Sequence, residues 1–397
     1  MRVTVLDWQR ARQDTPGCDR VLHFNNAGAA LMPRPVVDAT VNHLHLEARM
    51  GGYEAAARAT GAIERVYTVT AELLGCSADE IAMIENATRA WDMAFYSIDF
   101  QPGDRILTAM ASYASNYIAF LQVARKCGVE IQVIPNDDCG QISIPQLEAA
   151  IDDRVKLIAL THVPTNGGLV NPAVEVGTVA RAADVLYLLD ACQSVGQMPV
   201  NVSEIGCDFL SATGRKYLRG PRGTGFLYVR QERIEQLEPP FLDMLAAEWV
   251  ERDRYRIRND ARRFETWETN YAAKIGLGVA IDYALQWGMD AIGERVMQLA
   301  DQLRQQLAEL PGVTVRDLGT RRCGIVTFTV ASRSATEVKG CLSQAAINTS
   351  VSTRSSTLLD MDARQQSEFV RASVHYYNSE TEIDRFCRTL AEIVKAD

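Results

Sequence analysis

The sequence predicts an α/β protein: a mainly parallel seven-stranded sheet with helices on both faces, joined to a smaller α+β C-terminal unit. Three observations predict it. Short apolar, β-branched runs alternate with longer amphipathic stretches as far as Arg230, the pattern of strands joined by crossover helices. That alternation then stops. After a charged, irregular stretch, strand and helix patterns resume in a different order up to the C-terminus.

Taken in order, the strand patterns fall at 81–85, 105–109, 131–135, 156–162, 186–190, 209–213 and 225–229. Helical patterns lie between them at 87–100, 116–127, 144–151 and 172–182. In such sheets, ligands sit beyond the carboxyl ends of the strands. Residues 232–265 are charged and carry Pro239-Pro240 with little periodicity, so they read as irregular. A long helical pattern over 271–310 is broken near Gly288. The tail adds strands at 314–317, 323–330 and 370–376 and helices at 336–346 and 380–396. The expected organisation is a segment 1–25 packing on the small domain, a large domain over 26–260, and a linking helix with the small domain over 261–397.

Composition narrows the function. With 41 Lys and Arg against 50 Asp and Glu, the net charge is −9. Nucleic acid and anionic membranes reward clustered positive charge, so neither is expected as a partner. The one basic run, from Arg252 to Arg263, is diluted by Asp253 and Asp260. No stretch is apolar enough for a membrane span or a signal peptide, and the expected location is cytoplasmic. The nine cysteines are scattered without a Cys-x-x-Cys pair, which reads as reduced thiols rather than a disulfide framework or zinc site. His43 and His45, two apart on a helical pattern, point to different sides and make a poor metal-ligand pair.

The chemistry is carried around Asp190. A carboxylate ends one apolar strand there, and Lys216 follows the next, 26 residues on. Both fall at the carboxyl edge of the sheet. A nucleophilic lysine needs a lowered pKa or a bound aldehyde, and a buried aspartate needs a cationic partner. Pyridoxal phosphate satisfies both, its aldehyde condensing with the lysine and its pyridinium facing the aspartate. An ordinary ion pair of Asp190 with Lys216 or Arg215 is the plainer alternative.

The flanking residues decide between these. Asp190, Gln193 and Gly196 form Asp-x-x-Gln-x-x-Gly; Thr213, Lys216 and Gly220-Pro221-Arg222-Gly223-Thr224-Gly225 follow. With Asn25-Asn26-Ala27-Gly28, Asn86-Ala87-Thr88 and Arg371, this resembles the class V aminotransferase family of fold-type I pyridoxal-phosphate enzymes. That family includes cysteine desulfurases and isopenicillin N epimerase-like proteins. Arg215 stands where the family carries histidine.

The resemblance implies pyridoxal 5'-phosphate as cofactor, with Lys216 as its Schiff-base lysine and the group that moves the α-proton. It implies Asp190 at the pyridinium and Gln193 at the ring's phenolic oxygen. Ala87, Thr88 and Thr213 are implied at the phosphate, with Arg215 in the same site. Tyr113 is expected to stack on the ring, although strict alignment puts Ala114 there. Thr165 or Asn166 falls where the family places an asparagine. Arg371 is the implied holder of a substrate α-carboxylate, with Arg354 and Asn26 as further substrate contacts. The family's cross-dimer Gly-Thr-Pro is absent at Phe264-Glu265-Thr266-Trp267. A homodimer with its active site at the interface is implied all the same.

The loop around Arg354 carries no cysteine, since none lies between Cys341 and Cys387. A persulfide-carrying desulfurase needs such a thiolate. The lysine loop looks most like hercynylcysteine sulfoxide lyase-like and isopenicillin N epimerase-like members, so the expected reaction is Cβ–S cleavage of a cysteine derivative. Amino-acid epimerisation, transamination and a non-catalytic binding role are the alternatives.

Overall fold

Period-two alternation in the inner strands sends successive side chains into two separate cores. The computed structural model describes residues 6–395. In it, β1 (Ile81–Ile84), β2 (Arg105–Ala109), β3 (Glu130–Ile134), β4 (Val155–Thr161), β5 (Leu186–Asp190), β6 (Phe209–Thr213) and β7 (Gly225–Val229) form one sheet in the order β1-β7-β6-β5-β4-β2-β3. Pairs from β6 to β3 are parallel; β7 runs antiparallel to both β6 and β1.

On β5, Tyr187 and Leu189 enter one cluster and Leu188 the other. On β4, Ile158 and Leu160 part in the same way from Leu157 and Ala159. The helices Thr60–Leu74 and Ala173–Ala182 contribute to the first cluster, and Ala87–Phe95 and Ala114–Cys127 to the second. Each large aliphatic or aromatic side chain fully buried this way contributes about 1.5–3 kcal/mol. Strands covered on both faces explain the continuous apolar runs of the sequence.

The expected α/β fold and its parallel sheet are therefore present, with strand ends within a residue of those read from the pattern. Differences have local causes. The helix expected over 87–100 stops at Phe95. The long helical pattern splits into Tyr271–Leu285 and Met289–Ala308, because Gly288 takes the left-handed φ of +84° that favours glycine. The stretch read as irregular holds a hairpin, Ala247–Glu251 with Arg254–Ile257, whose alternation is masked by exposed charges on both strands.

After the linking helix, Val313–Val315, Ile325–Val330, Glu368–Ser373 and Ser350–Thr353 form an antiparallel sheet in that spatial order. Leu299, Leu303, Leu342, Phe386 and Leu390, from three helices, pack on its Val326, Phe328, Val370 and Ala372. The start of the chain joins this unit: Leu22–His23 pairs with Ile347–Asn348, and Ser373 N–H donates to the Phe24 carbonyl at 2.7 Å. Among the described residues, no helix is long and apolar enough to cross a membrane.

Register decides what meets at the carboxyl edge. Thr161 lies beside Asp190 and Asp190 beside Ser211. Because β7 runs the other way, its first residue, Gly225, faces both Thr213 and Ile84. The ends of β4, β5 and β6, the start of β7 and the turn after β1 thus gather in one place.

Candidate active site

Asp190 ends β5 with its carboxylate buried, and amide donors take both oxygens. Asn116 Nδ2 donates to Oδ2 at 2.9 Å, and the Cys192 N–H donates to Oδ1 at 3.0 Å. Among the described residues no ion pair joins Asp190 to Lys216 or Arg215, so the plain ion pair of the sequence reading does not form. Asn116 was not foreseen as this partner; it enters from the helix Ala114–Cys127, 74 residues away in sequence.

Lys216 lies in the turn after β6. Burial pushes its ammonium below the ordinary lysine range, and the guanidiniums of Arg215 and Arg371 add to this while Asp190 opposes it. That is the direction a nucleophilic or proton-moving amine requires. The aspartate and lysine segments touch at the backbone: Gly196 has φ +94°, and a Cβ there would lie 2.4 Å from the Tyr217 carbonyl carbon. Between them Gln193 donates to the Ala27 carbonyl at 3.2 Å, while its own buried Oε1 has no partner.

The anion end is built on a helix N-terminus. Asn86 caps Ala87–Phe95 by accepting from the Arg89 N–H at 3.0 Å, so the N–H groups of Ala87 and Thr88 stay free of the helix ladder. Gly225 lets this turn sit directly on the sheet; a Cβ there would meet the Ala212 oxygen at 2.6 Å and Asn86 carbon at 3.0 Å. Arg215 Nη1 donates to Thr213 Oγ1 at 3.0 Å, bringing a cation with no carboxylate partner among the described residues to the same end.

One pocket gathers Ala87, Thr88, Tyr113, Thr165, Asp190, Gln193, Arg215 and Lys216. Tyr113 precedes its helix as N-cap, held by its N–H to Thr161 Oγ1 at 3.3 Å, and is 37% exposed. Thr165, not Asn166, faces the pocket. Asn166 turns away to donate to the Thr353 carbonyl at 3.0 Å. Arg371 Nη1 donates to Thr165 Oγ1 at 2.5 Å, and its buried Nε has no partner. Burial alone acts to lower its pKa. A buried guanidinium without a carboxylate carries a desolvation cost of several kcal/mol, and a bound anion would offset it.

Two expected substrate contacts have partners within the chain. Asn26 is fully buried; its Nδ2 donates to the Ser373 carbonyl at 2.7 Å and its Oδ1 accepts from the Tyr377 hydroxyl. It staples the chain start to the small unit. Arg354 is exposed and paired with Asp362 at 2.7 Å, a solvated charge at the strand end.

The remaining residues fit pyridoxal phosphate: a depressed lysine amine for the aldehyde, a helix N-terminus for the phosphate, and a buried carboxylate for the ring nitrogen. The aminotransferase class V family model matches residues 22–386. The chain belongs to that family. It is 30% identical over 393 residues to a probable cysteine desulfurase of Pyrococcus abyssi, covering 97% of each chain. It is 30% identical over 401 residues to a cysteine desulfurase of Yersinia pestis, covering 98% of each. The apo structure of a cysteine desulfurase from Thermococcus onnurineus superposes with a TM-score of 0.92 at 29% identity, over 100% of this chain and 99% of the other. As a class V member the chain is a pyridoxal-phosphate-dependent enzyme of amino-acid chemistry, as the motifs implied.

Proposed function

We propose that this enzyme cleaves the Cβ–S bond of cysteine or a cysteine derivative by β-elimination, without parking sulfur on a cysteine of its own. The observation that carries this reading is the chemistry of the segment hydrogen-bonded to Thr165 and Asn166 beside the pocket. Ser352 Oγ donates to the Thr165 carbonyl at 3.4 Å, and Asn166 holds Thr353. This segment offers only hydroxyls and Arg354 up to Thr357. The one thiol lining the pocket, Cys192, is pushed far above the ordinary range by burial and by Asp190, so it is a poor thiolate.

Bound pyridoxal phosphate supplies an electron sink for the α-carbon. The chain's own residues do the rest. Arg371 and Thr165 hold the α-carboxylate, with Tyr113 at the pocket mouth. Thr88, Ala87, Thr213 and Arg215 hold the phosphate, and Arg215 supplies the charge where histidine is missing. Asp190, fixed by Asn116, keeps a proton on the ring nitrogen. Lys216 Nζ takes the Cα proton; the Cα–Cβ double bond forms as the Cβ–S pair leaves with sulfur, and the released enamine hydrolyses to a keto acid and ammonia.

The active unit is taken to be a homodimer. A groove of about 770 Å3 lined by Tyr53, Arg89, Phe264, Thr266 and Tyr271 borders Gly225 at the anion end, which supports a partner subunit closing it. Sedimentation at working concentration checks this; a monomer with full activity would remove the dimer.

The deciding experiment is an absorbance spectrum of the cofactor-loaded protein exposed to cysteine and S-substituted cysteines, with pyruvate, ammonia and protein-bound persulfide assayed afterwards. Keto acid and ammonia without persulfide support the reading. Alanine with a trapped persulfide would replace it by desulfuration, and a shift to the pyridoxamine form without keto acid from cysteine would replace it by transamination. Lys216→Ala should lose the visible band of the lysine-linked cofactor.

A further inference from the structure

Arg219 lies three residues beyond Lys216, in the same turn, and its N–H donates to the Lys216 carbonyl at 2.9 Å. It takes a left-handed φ of +62°, a strained conformation for a residue with a side chain. The side chain is 1% exposed, with no carboxylate paired to it among the described residues. Its fork reaches three separate parts of the chain. Nε donates to the Leu31 carbonyl at 2.9 Å and Nη1 to the Tyr376 hydroxyl at 2.8 Å, while Nη2 donates to Thr15 Oγ1. The guanidinium lies over the rings of Tyr377, Tyr376 and Tyr283 at 4.3, 5.2 and 5.7 Å.

This placement is costly and specific. A buried cation needs neutral acceptors or ring faces in place of a carboxylate. Here they come from the chain start and from Tyr376 and Tyr377, in the segment that leaves the strand bearing Arg371. A second link runs alongside: His375 Nε2 donates to the Tyr217 carbonyl at 2.9 Å, its other nitrogen accepting from the Tyr376 N–H. On its opposite side the lysine turn rests on Gly196. The turn is therefore clamped between the aspartate segment and the continuation of the carboxylate-binding strand.

We propose that Arg219 is a positioning residue for the reaction: its three-way fork fixes the lysine turn to the continuation of the Arg371 strand, and so sets where Lys216 Nζ stands relative to a substrate held by its carboxylate. This rests on the roles given above to Lys216 and Arg371. Misplacing a reacting group by about 1 Å can cost a hundred-fold in rate, so a three-way anchor beside the proton-moving lysine matters to turnover. Lysine could keep the charge but not the fork.

The test uses the cofactor-loaded protein with Tyr376→Phe, which removes one acceptor and leaves the ring, and with Arg219→Lys. In Tyr376→Phe, kcat should fall about ten- to a hundred-fold with KM unchanged, since Arg371 is untouched. The pH midpoint of the visible cofactor band should also shift, in the absence of substrate. Arg219→Lys should move both readouts further in the same direction. A lowered melting temperature with kcat and band midpoint equal to the parent's would overturn the proposal, leaving Arg219 a purely structural clamp. A raised KM with kcat preserved would overturn it too. A parent protein that gains no visible band with added pyridoxal phosphate would fail at Lys216 instead, and the proposal would fall with the cofactor reading.

Discussion

Arg304 and Arg371 are both buried in the C-terminal unit, yet their charges are treated differently. Arg304 Nε donates to Asp317 Oδ2 at 2.8 Å, and its Nη2 caps the Cys323 and Ile325 carbonyls at 2.6 and 2.8 Å. Asp317 in turn accepts from the Gly168 and Thr327 N–H groups. Every strong group in that cluster has a partner within the chain. Arg371 has only Thr165 and leaves a buried N–H unpaired. A buried charge closed by its own chain is a staple; one with a donor still unpaired, beside a pocket residue such as Thr165, is suited to an anion. Arg354, exposed beside Asp362, is neither.

The largest expected effect is on the closed cluster. Arg304→Ala strands Asp317 and should cost about 3–5 kcal/mol of stability, read as a denaturant midpoint, while protein still folded keeps its cofactor spectrum. If instead the spectrum is lost with stability intact, the contrast fails. Arg371→Ala should do the reverse. A charge-assisted pair contributes about 1.5–3 kcal/mol, so amino-acid affinity read from band perturbation should fall about ten- to a hundred-fold, with melting far less affected than in Arg304→Ala. Unchanged affinity would remove Arg371 as the carboxylate site.

A third test uses acid. His162, buried in the segment leading to Thr165 with Nδ1 unpaired, is lowered from 6.5 to about 4 by burial. Its unfolded form takes up a proton below pH 6.5 while the folded form stays neutral. Stability should therefore fall as the pH drops from about 6.5 towards 4, by up to about 1.4 kcal/mol per pH unit, and level off below. His375, lowered by its burial as well, acts in the same sense. Replacing His162 by Gln should flatten the slope; an unaltered slope would assign acid sensitivity elsewhere. The smallest effect is expected from Arg354→Ala, which should leave affinity and melting where they were. Weakened binding of any amino acid would return Arg354 to the site.

The sheet and the Asp190–Lys216 corner were legible because they are written locally. Apolar runs of strand length mark the strands, and a carboxylate or a Gly-rich turn at the end of such a run marks the edge. Residues whose roles depend on distant partners were not legible in this way. Asn116 reads as the opening residue of a helical pattern until β5 brings Asp190 to it. Arg219 reads as one more charge before Gly220-Pro221 until the chain start and Tyr376 close around it. Asn26 and Arg354 show the opposite case: each has the right residue type near the right motif, while in this chain Asn26 bonds Ser373 and Tyr377 and Arg354 pairs with Asp362. The hairpin around Trp249 and Tyr255, which face each other across the ladder, was hidden by flanking Glu and Arg that suppress an apolar pattern.

Gly196 and Gly225 have a practical meaning for anyone who wants to redirect this catalyst. At each, main chain meets main chain with no room for a methyl group, so the pocket's floor cannot be widened or tilted by substitution there without moving the lysine turn or the phosphate helix bodily. Its walls are another matter. Tyr113 projects from the end of a loop held there by its N–H to Thr161 Oγ1, and a mutant library confined to this side chain and to Ser352–Ser356 would explore new substrates on an unchanged foundation.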